Sequence, residues 1–141
     1  GLFRVALCLM DSVADTDAAP FVPLANLLGL LFQIRDDYLN LQPPSACDDI
    51  TEGKFSFPLI HAVRTAKDAT LLTMLQQHTQ DPALKQQAVA YMQDVTNSFA
   101  YTRDVWHALH TQTRTEIERL ERTWGENTAM HRLLDALRIR A

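Results

Sequence analysis

The apolar positions of this chain recur with a helical period almost from end to end. Leu2, Phe3, Val5, Ala6, Leu9 and Met10 form one such face, which predicts a helix over about 2–14 ending in the polar turn Asp15–Asp17. A second helix is predicted over about 21–41, with Pro23 tolerated in its first turn. The stretch from Gln42 to Phe57, broken by Pro43, Pro44 and Gly53, reads as a loop. Phe57-Pro58 then opens a third helix carrying Leu59, Ile60, Ala62 and Val63. A short helix follows over about 68–78, and Asp81-Pro82 starts another whose stripe is Leu84, Ala88, Tyr91, Met92 and Val95. After Asn97-Ser98, a long helix carries Phe99, Trp106, Leu109, Ile117, Leu120 and Trp124. Gly125 fits its C-terminal cap, and a last helix covers about 127–139. No segment alternates with the period of a strand, and no repeat or low-complexity tract interrupts the pattern. The fold class is all-α.

The second helix departs from the ordinary amphipathic pattern. Gln33, Asp36, Asp37 and Asn40 fall at i, i+3, i+4 and i+7, so they share an arc of roughly 100°. Leu27, Leu28, Leu30, Leu31, Phe32, Ile34, Leu39 and Leu41 occupy most of the remaining surface. Two carboxylates stranded among leucines and about 5 Å apart repel by roughly 1–3 kcal/mol, and burial of either one requires a partner. The pattern therefore predicts a cation over the stripe. A hard divalent ion such as Mg²⁺ fits, because it takes oxygen ligands and shares its site with substrate phosphate. The plainer alternative is a pair of helix-surface acids matched to Arg35 or to a neighbouring helix. Arg35 lies about 200° around the helix from Gln33, which weakens pairing within the helix.

Composition narrows the setting. The 141 residues are 47% apolar and 21% charged, enough for one modest helical domain. A net charge of −4 without any basic block argues against a nucleic-acid or anionic-membrane partner. Cys8 and Cys47 stand far apart, outside any C-x-x-C spacing, and read as reduced thiols in a cytoplasmic setting. The longest apolar run, Phe21–Phe32, is interrupted by Pro23 and Asn26 and is too short to span a bilayer. No signal-peptide pattern opens the chain. The first helical face begins at once, with no capping residue before it, so Gly1 reads as a cut edge and the chain as a piece of something longer.

The remaining chemistry is concentrated in Asp48-Asp49-Ile50-Thr51-Glu52-Gly53-Lys54, where acids, a hydroxyl and a lysine flank a flexible glycine. Lys54 can reach back to a phosphate as a point charge. Capping or a supporting role suits Asp48 and Asp49 better than ligation. His107 and His110 are spaced i, i+3, but no Cys or carboxylate completes a zinc set around them. His61, His78 and His131 read as core-edge or surface groups, and Trp106 and Trp124 as members of a core stripe.

The run Phe32-Gln33-Ile34-Arg35-Asp36-Asp37-Tyr38-Leu39-Asn40-Leu41 resembles the second aspartate-rich motif of trans-prenyltransferases, the polyprenyl diphosphate synthases. It is most like that of eukaryotic geranylgeranyl diphosphate synthases. Asp49-Ile50-Thr51-Glu52-Gly53-Lys54-Phe55-Ser56-Phe57-Pro58-Leu59-Ile60-His61-Ala62 extends the resemblance, as does Ser98-Phe99-Ala100-Tyr101-Thr102-Arg103. Gly1-Leu2-Phe3 is similar to the stretch just after that family's Lys-Thr pair.

The resemblance implies the C-terminal part of one isoprenoid-synthase-type helical domain over residues 1–141. It implies a Mg²⁺-dependent condensation of isopentenyl diphosphate with an allylic diphosphate, giving geranylgeranyl diphosphate. Asp36 is then the principal Mg²⁺ ligand, and Asp37 and Asn40 support it directly or through water. Gln33 and Lys54 contact the diphosphate. The N-terminal half of such a synthase, with the first aspartate-rich motif, lies outside this sequence, and the resemblance further implies a homo-oligomer. One departure stands out: Pro44-Ser45-Ala46 occupies the place where the family often has a lysine. Two alternatives stay open, a prenyltransferase domain of a bifunctional terpene synthase and a non-catalytic partner subunit.

Overall fold

A computed structural model of the chain describes residues 5, 6, 8, 9, 17–67 and 69–139. No strand occurs among the described residues, and the all-α expectation holds. A 3₁₀ turn at Ala19–Phe21 leads into α1 (Val22–Asn40). There follow α2 (Asp48–Glu52), α3 (Phe57–Thr65), α4 (Thr70–Gln76), α5 (Pro82–Asp94), α6 (Ser98–Trp124) and α7 (Thr128–Ala136). The helix expected over 2–14 falls mostly outside the described residues, although Val5, Ala6, Cys8 and Leu9 are helical.

Local chemistry sets the helix starts. Pro58 and Pro82 occupy first-turn positions, where the N–H that proline lacks has no helical partner to lose. Asp81 caps α5 by accepting the Ala83 N–H at 2.9 Å, and Asn127 caps α7 by accepting the Met130 N–H at 3.1 Å. Gly125, at φ +88°, ends α6 in the left-handed region that a side chain disfavours.

The chain divides into two compact units. One comprises residues 1–33 and 106–141. Its buried residues include Leu24, Leu28, Leu31, Trp106, Ile117 and Leu134. The Trp106 indole N–H donates to the Leu31 carbonyl at 3.2 Å, so this large ring is buried without an orphaned donor. Glu121 closes the turn after α6 by accepting the Asn127 N–H at 2.8 Å and facing His131 Nε2 at 3.0 Å. Trp124 is not in this core. It lies on the same side of α6 as Trp106, five turns on, but it is the last residue of the helix. Trp124 is consequently 54% exposed, resting against Phe21 at a centroid distance of 5.6 Å.

The other unit comprises residues 34–105, and its buried residues include Ile34, Leu41, Ile50, Leu59, Leu71, Met92 and Phe99. Tyr38 meets Phe99 edge-on, and its phenol oxygen accepts from the Arg103 guanidinium at 3.1 Å. A buried polar chain crosses the start of α6. Thr96 donates its hydroxyl to the Met92 carbonyl at 3.2 Å, which obliges Ser98 to donate to Thr96 at 2.7 Å. Ser98 Oγ then accepts from His61 Nδ1 at 2.8 Å. His61 stacks on Tyr101 with centroids 4.0 Å apart, and burial lowers its pKa.

The expected loop from Gln42 to Phe57 contains α2, five residues long. Asp48 and Asp49 sit in its first turn, where carboxylates favour the helix N-terminus, and Gly53 at φ +65° ends it. Too short to show a period, α2 escapes the sequence pattern, in which Gly53 reads as a loop breaker. At the other end of the chain, α7 stops at Ala136, short of the expected 139, although Leu137 and Ile139 remain buried beyond it.

Candidate functional site

The polar stripe of α1 divides into an inner and an outer edge. Asp37 and Asn40 form the inner edge. Asp37 is buried, and its Oδ2 accepts the Phe57 N–H at 2.9 Å. Phe57 is the first residue of α3, so that N–H has no acceptor within its own helix, and a carboxylate suits the positive end. Asn40 does the same for α2, its Oδ1 accepting the Asp49 N–H at 3.0 Å. Cys47, at the capping position of α2, supplies no side-chain bond of its own. Both inner residues thus begin the helices that follow.

Gln33 and Asp36 form the outer edge, and both are exposed. Among the described residues the Asp36 carboxylate makes no hydrogen bond or ion pair. Leu30, Phe32 and Leu39 are exposed as well. The expectation that both acids are sunk in hydrocarbon is therefore corrected. The buried arc of α1 carries Leu24, Leu28, Leu31, Ile34 and Tyr38, while other apolar residues flank Asp36 on the open arc.

The cation predicted over the stripe also has a nearer source. Lys54 Nζ lies 3.0 Å from Asp37 Oδ1 and 3.3 Å from Asp49 Oδ1. Burial of Asp37 is thus met within the chain, and the case for a metal rests on Asp36 and the open edge. The hydrogen bond to Asp37 holds the Lys54 ammonium above the usual lysine range. Asp49 is 4% exposed, and burial pushes its carboxyl up against the pull of Lys54. Its Oδ2 is buried and makes no hydrogen bond of ordinary geometry, with the Ser56 hydroxyl also acting on the carboxylate. The sequence suits Asp49 to a supporting role but does not pair it with Lys54; five residues apart across a helix end, the two share no periodicity.

Gly53 sets the position of Lys54. It is required by geometry, not by flexibility: a Cβ there would stand 2.5 Å from His78 Cε1 and 3.2 Å from the Leu75 carbonyl oxygen. The next residue is tied down at once, the Lys54 N–H donating to the Asp49 carbonyl at 2.9 Å.

Gln33, Asp36, Asp37 and Asn40 all carry side-chain oxygens, the donors that Mg²⁺ takes. No group of three or more His, Cys, Asp or Glu among the described residues converges as a cage. A hard ion held by this stripe must complete its shell with water or with a substrate's phosphate oxygens. The spare buried oxygen of Asp49, beside the only lysine in the cluster, adds negative charge that a cationic site can use. The donor chemistry fits.

Known proteins carry the same pattern. A family model described as polyprenyl synthetase matches residues 1–92. The chain is 43% identical over 147 residues to a geranylgeranyl pyrophosphate synthase of Fusarium fujikuroi, a match covering 99% of this chain and 35% of that protein. It is likewise 43% identical over 148 residues to a geranylgeranyl pyrophosphate synthase of Penicillium paxilli, covering 99% of this chain and 39% of the relative. A copalyl diphosphate synthase of Talaromyces verruculosus is 42% identical over 142 residues, 95% of this chain but 14% of that protein. The chain thus spans between a third and two fifths of the length of the two geranylgeranyl pyrophosphate synthases. With its acid-striped helix and the Gly53–Lys54 turn inside the matched region, the chain belongs to the polyprenyl synthetase family.

Proposed function

We propose that this chain supplies the C-terminal part, over residues 1–141, of a single Mg²⁺-dependent prenyl diphosphate synthase domain. Its substrates are isopentenyl diphosphate and an allylic diphosphate, and its product is geranylgeranyl diphosphate. The observation that supports this most is the unpartnered Asp36 carboxylate on the open edge of α1, beside the capped pair Asp37 and Asn40. Asp36 is the principal metal ligand in this reading, with Asp37 and Asn40 supporting it directly or through water. Gln33 and Lys54 contact the diphosphate.

When bound, Mg²⁺ neutralises the charge that grows on the departing diphosphate as the allylic C–O bond opens. The chain's own part is to hold that environment ready. Asp37 is fixed by the first N–H of α3 and Asn40 by the second N–H of α2, so neither has to reorganise when substrate arrives. Lys54, with 42% of its side chain exposed, can turn its ammonium toward a phosphate oxygen without leaving Asp49. The exposed Phe32 and Leu39, one turn to either side of Asp36 along the same side of α1, give an apolar prenyl tail a surface beside the charged head.

In the same reading the enzyme self-associates and works in the cytoplasm. Free Cys8 and Cys47 support that location, and no helix among the described residues is long and apolar enough to cross a membrane. The second reading, a prenyltransferase domain of a bifunctional terpene synthase, is favoured by the likeness to the much longer copalyl diphosphate synthase. Mass analysis of products made by the complete protein from isopentenyl diphosphate, each allylic diphosphate and Mg²⁺ separates the two. A linear product of geranylgeranyl length is expected. A cyclised product would favour the second reading, and no elongation at all would refute both.

A further inference from the structure

The Lys54 ammonium is shared almost evenly between two carboxylates with different surroundings. Asp37 belongs to the proposed metal stripe. Asp49 does not; it sits on α2, buried, with its backbone N–H held by Asn40 and its carbonyl held by the Lys54 N–H. These backbone bonds keep residues 49 and 54 together whatever happens at Asp37. Asp49 Oδ2 is buried and makes no hydrogen bond of ordinary geometry, with only the Ser56 hydroxyl acting on the carboxylate besides Lys54, so it can take up more of the ammonium. The distances of 3.0 and 3.3 Å leave a short path for the ammonium from one acid to the other. A divalent ion approaching Asp37 repels Lys54 at short range, and that repulsion is strong wherever screening by water is incomplete.

We infer that Asp49 is a positioning residue: it receives the Lys54 ammonium when Mg²⁺ takes Asp37 and keeps it within reach of the diphosphate. This rests on the reading of Asp37 as part of the metal site. The arrangement makes Lys54 a built-in counter-ion in the absence of metal and a phosphate ligand in its presence. Charge balance suits the exchange. Asp36, Asp37 and Asp49 carry three formal negative charges and Lys54 one positive, leaving a net −2 for one divalent ion to match.

The inference sets a competition between lysine and metal, and competition has a sign that ordinary ligation lacks. Calorimetric titration of the full chain with Mg²⁺ alone, then with inorganic pyrophosphate in the presence of Mg²⁺, measures both sides. Lys54→Met should tighten Mg²⁺ binding by about tenfold, a typical size for coupling between sites, while weakening pyrophosphate binding by a similar factor. Asp49→Asn should weaken Mg²⁺ binding, because the displaced ammonium loses its second acceptor. In the double variant Asp49→Asn/Lys54→Met, that weakening should largely vanish.

If Asp49 acts on the metal only through its own charge or as a ligand, Asp49→Asn weakens Mg²⁺ equally with and without Lys54. Additive effects of that kind overturn the inference while leaving the metal site standing. So does a Lys54→Met variant that binds Mg²⁺ no better than the parent. A parent chain that binds neither Mg²⁺ nor pyrophosphate overturns the inference and the proposed function together. Circular dichroism confirms that each variant keeps its helices, and Asp49→Glu, which restores the carboxylate, should recover most of the Mg²⁺ affinity lost in Asp49→Asn.

Discussion

Asp36 and Asp37 are adjacent in sequence but carry opposite liabilities, and stability measurements can separate them. Asp37→Ala removes the acceptor for the first N–H of α3 and one of the two acids holding Lys54. The Asp37 side chain is only 7% exposed, so the freed N–H finds little water, and losing a hydrogen bond to a charged acceptor costs about 1.5–3 kcal/mol. The ion pair adds little, because the Lys54 side chain is 42% exposed and keeps Asp49; well under about 1 kcal/mol is reasonable. The expected loss for Asp37→Ala is therefore about 2–3 kcal/mol. Asp37→Asn retains an oxygen for the Phe57 N–H but gives up the charge and the acceptor facing Lys54, which keeps Asp49, so it should cost about 1 kcal/mol. Asp36→Ala touches nothing in the described structure and should stay within about 0.5 kcal/mol of the parent. Urea unfolding followed by helical circular dichroism, compared at constant slope, reads all three. Equal losses for Asp36→Ala and Asp37→Ala would refute the division of the stripe into an open edge and a capping edge. An Asp37→Asn variant as unstable as the alanine would refute the capping argument itself.

Two further predictions concern the frame around the site. Gly53→Ala forces a side chain into positive φ and against His78 and the Leu75 carbonyl; a loss of about 2 kcal/mol by urea unfolding is expected, together with weaker pyrophosphate binding as Lys54 shifts. His61 and His110 have pKa values held below the ordinary 6.5 by burial, so the native state binds fewer protons than the unfolded one below that pH. Their contribution is complete above about pH 6.5 and is lost as the pH falls through the lowered folded values. The melting temperature should drop between pH 7.5 and 5.5, and His61→Gln/His110→Gln should flatten that slope; an unchanged slope would contradict it.

Much of this was legible in the chain. The helical period gave the fold class, and Phe57-Pro58 and Asp81-Pro82 marked real helix starts. Spacing alone put Gln33, Asp36, Asp37 and Asn40 on one face of α1. It could not say which neighbours that face would meet. Asp37 caps a helix that begins twenty residues later, and Asn40 caps one that begins within the expected loop. Such long-range caps leave no periodic trace. The same limit applies to Trp124, whose helical phase matches that of Trp106 but whose exposure at the last residue of α6 has no periodic signature.

The central claim is that Asp36 exists to hold a metal ion over a departing diphosphate. Steady-state turnover of the complete enzyme with Asp36→Ala, measured beside its circular dichroism, tests that claim most directly. The account predicts a fall of about two orders of magnitude or more with the helical spectrum unchanged. Turnover near that of the parent would contradict it.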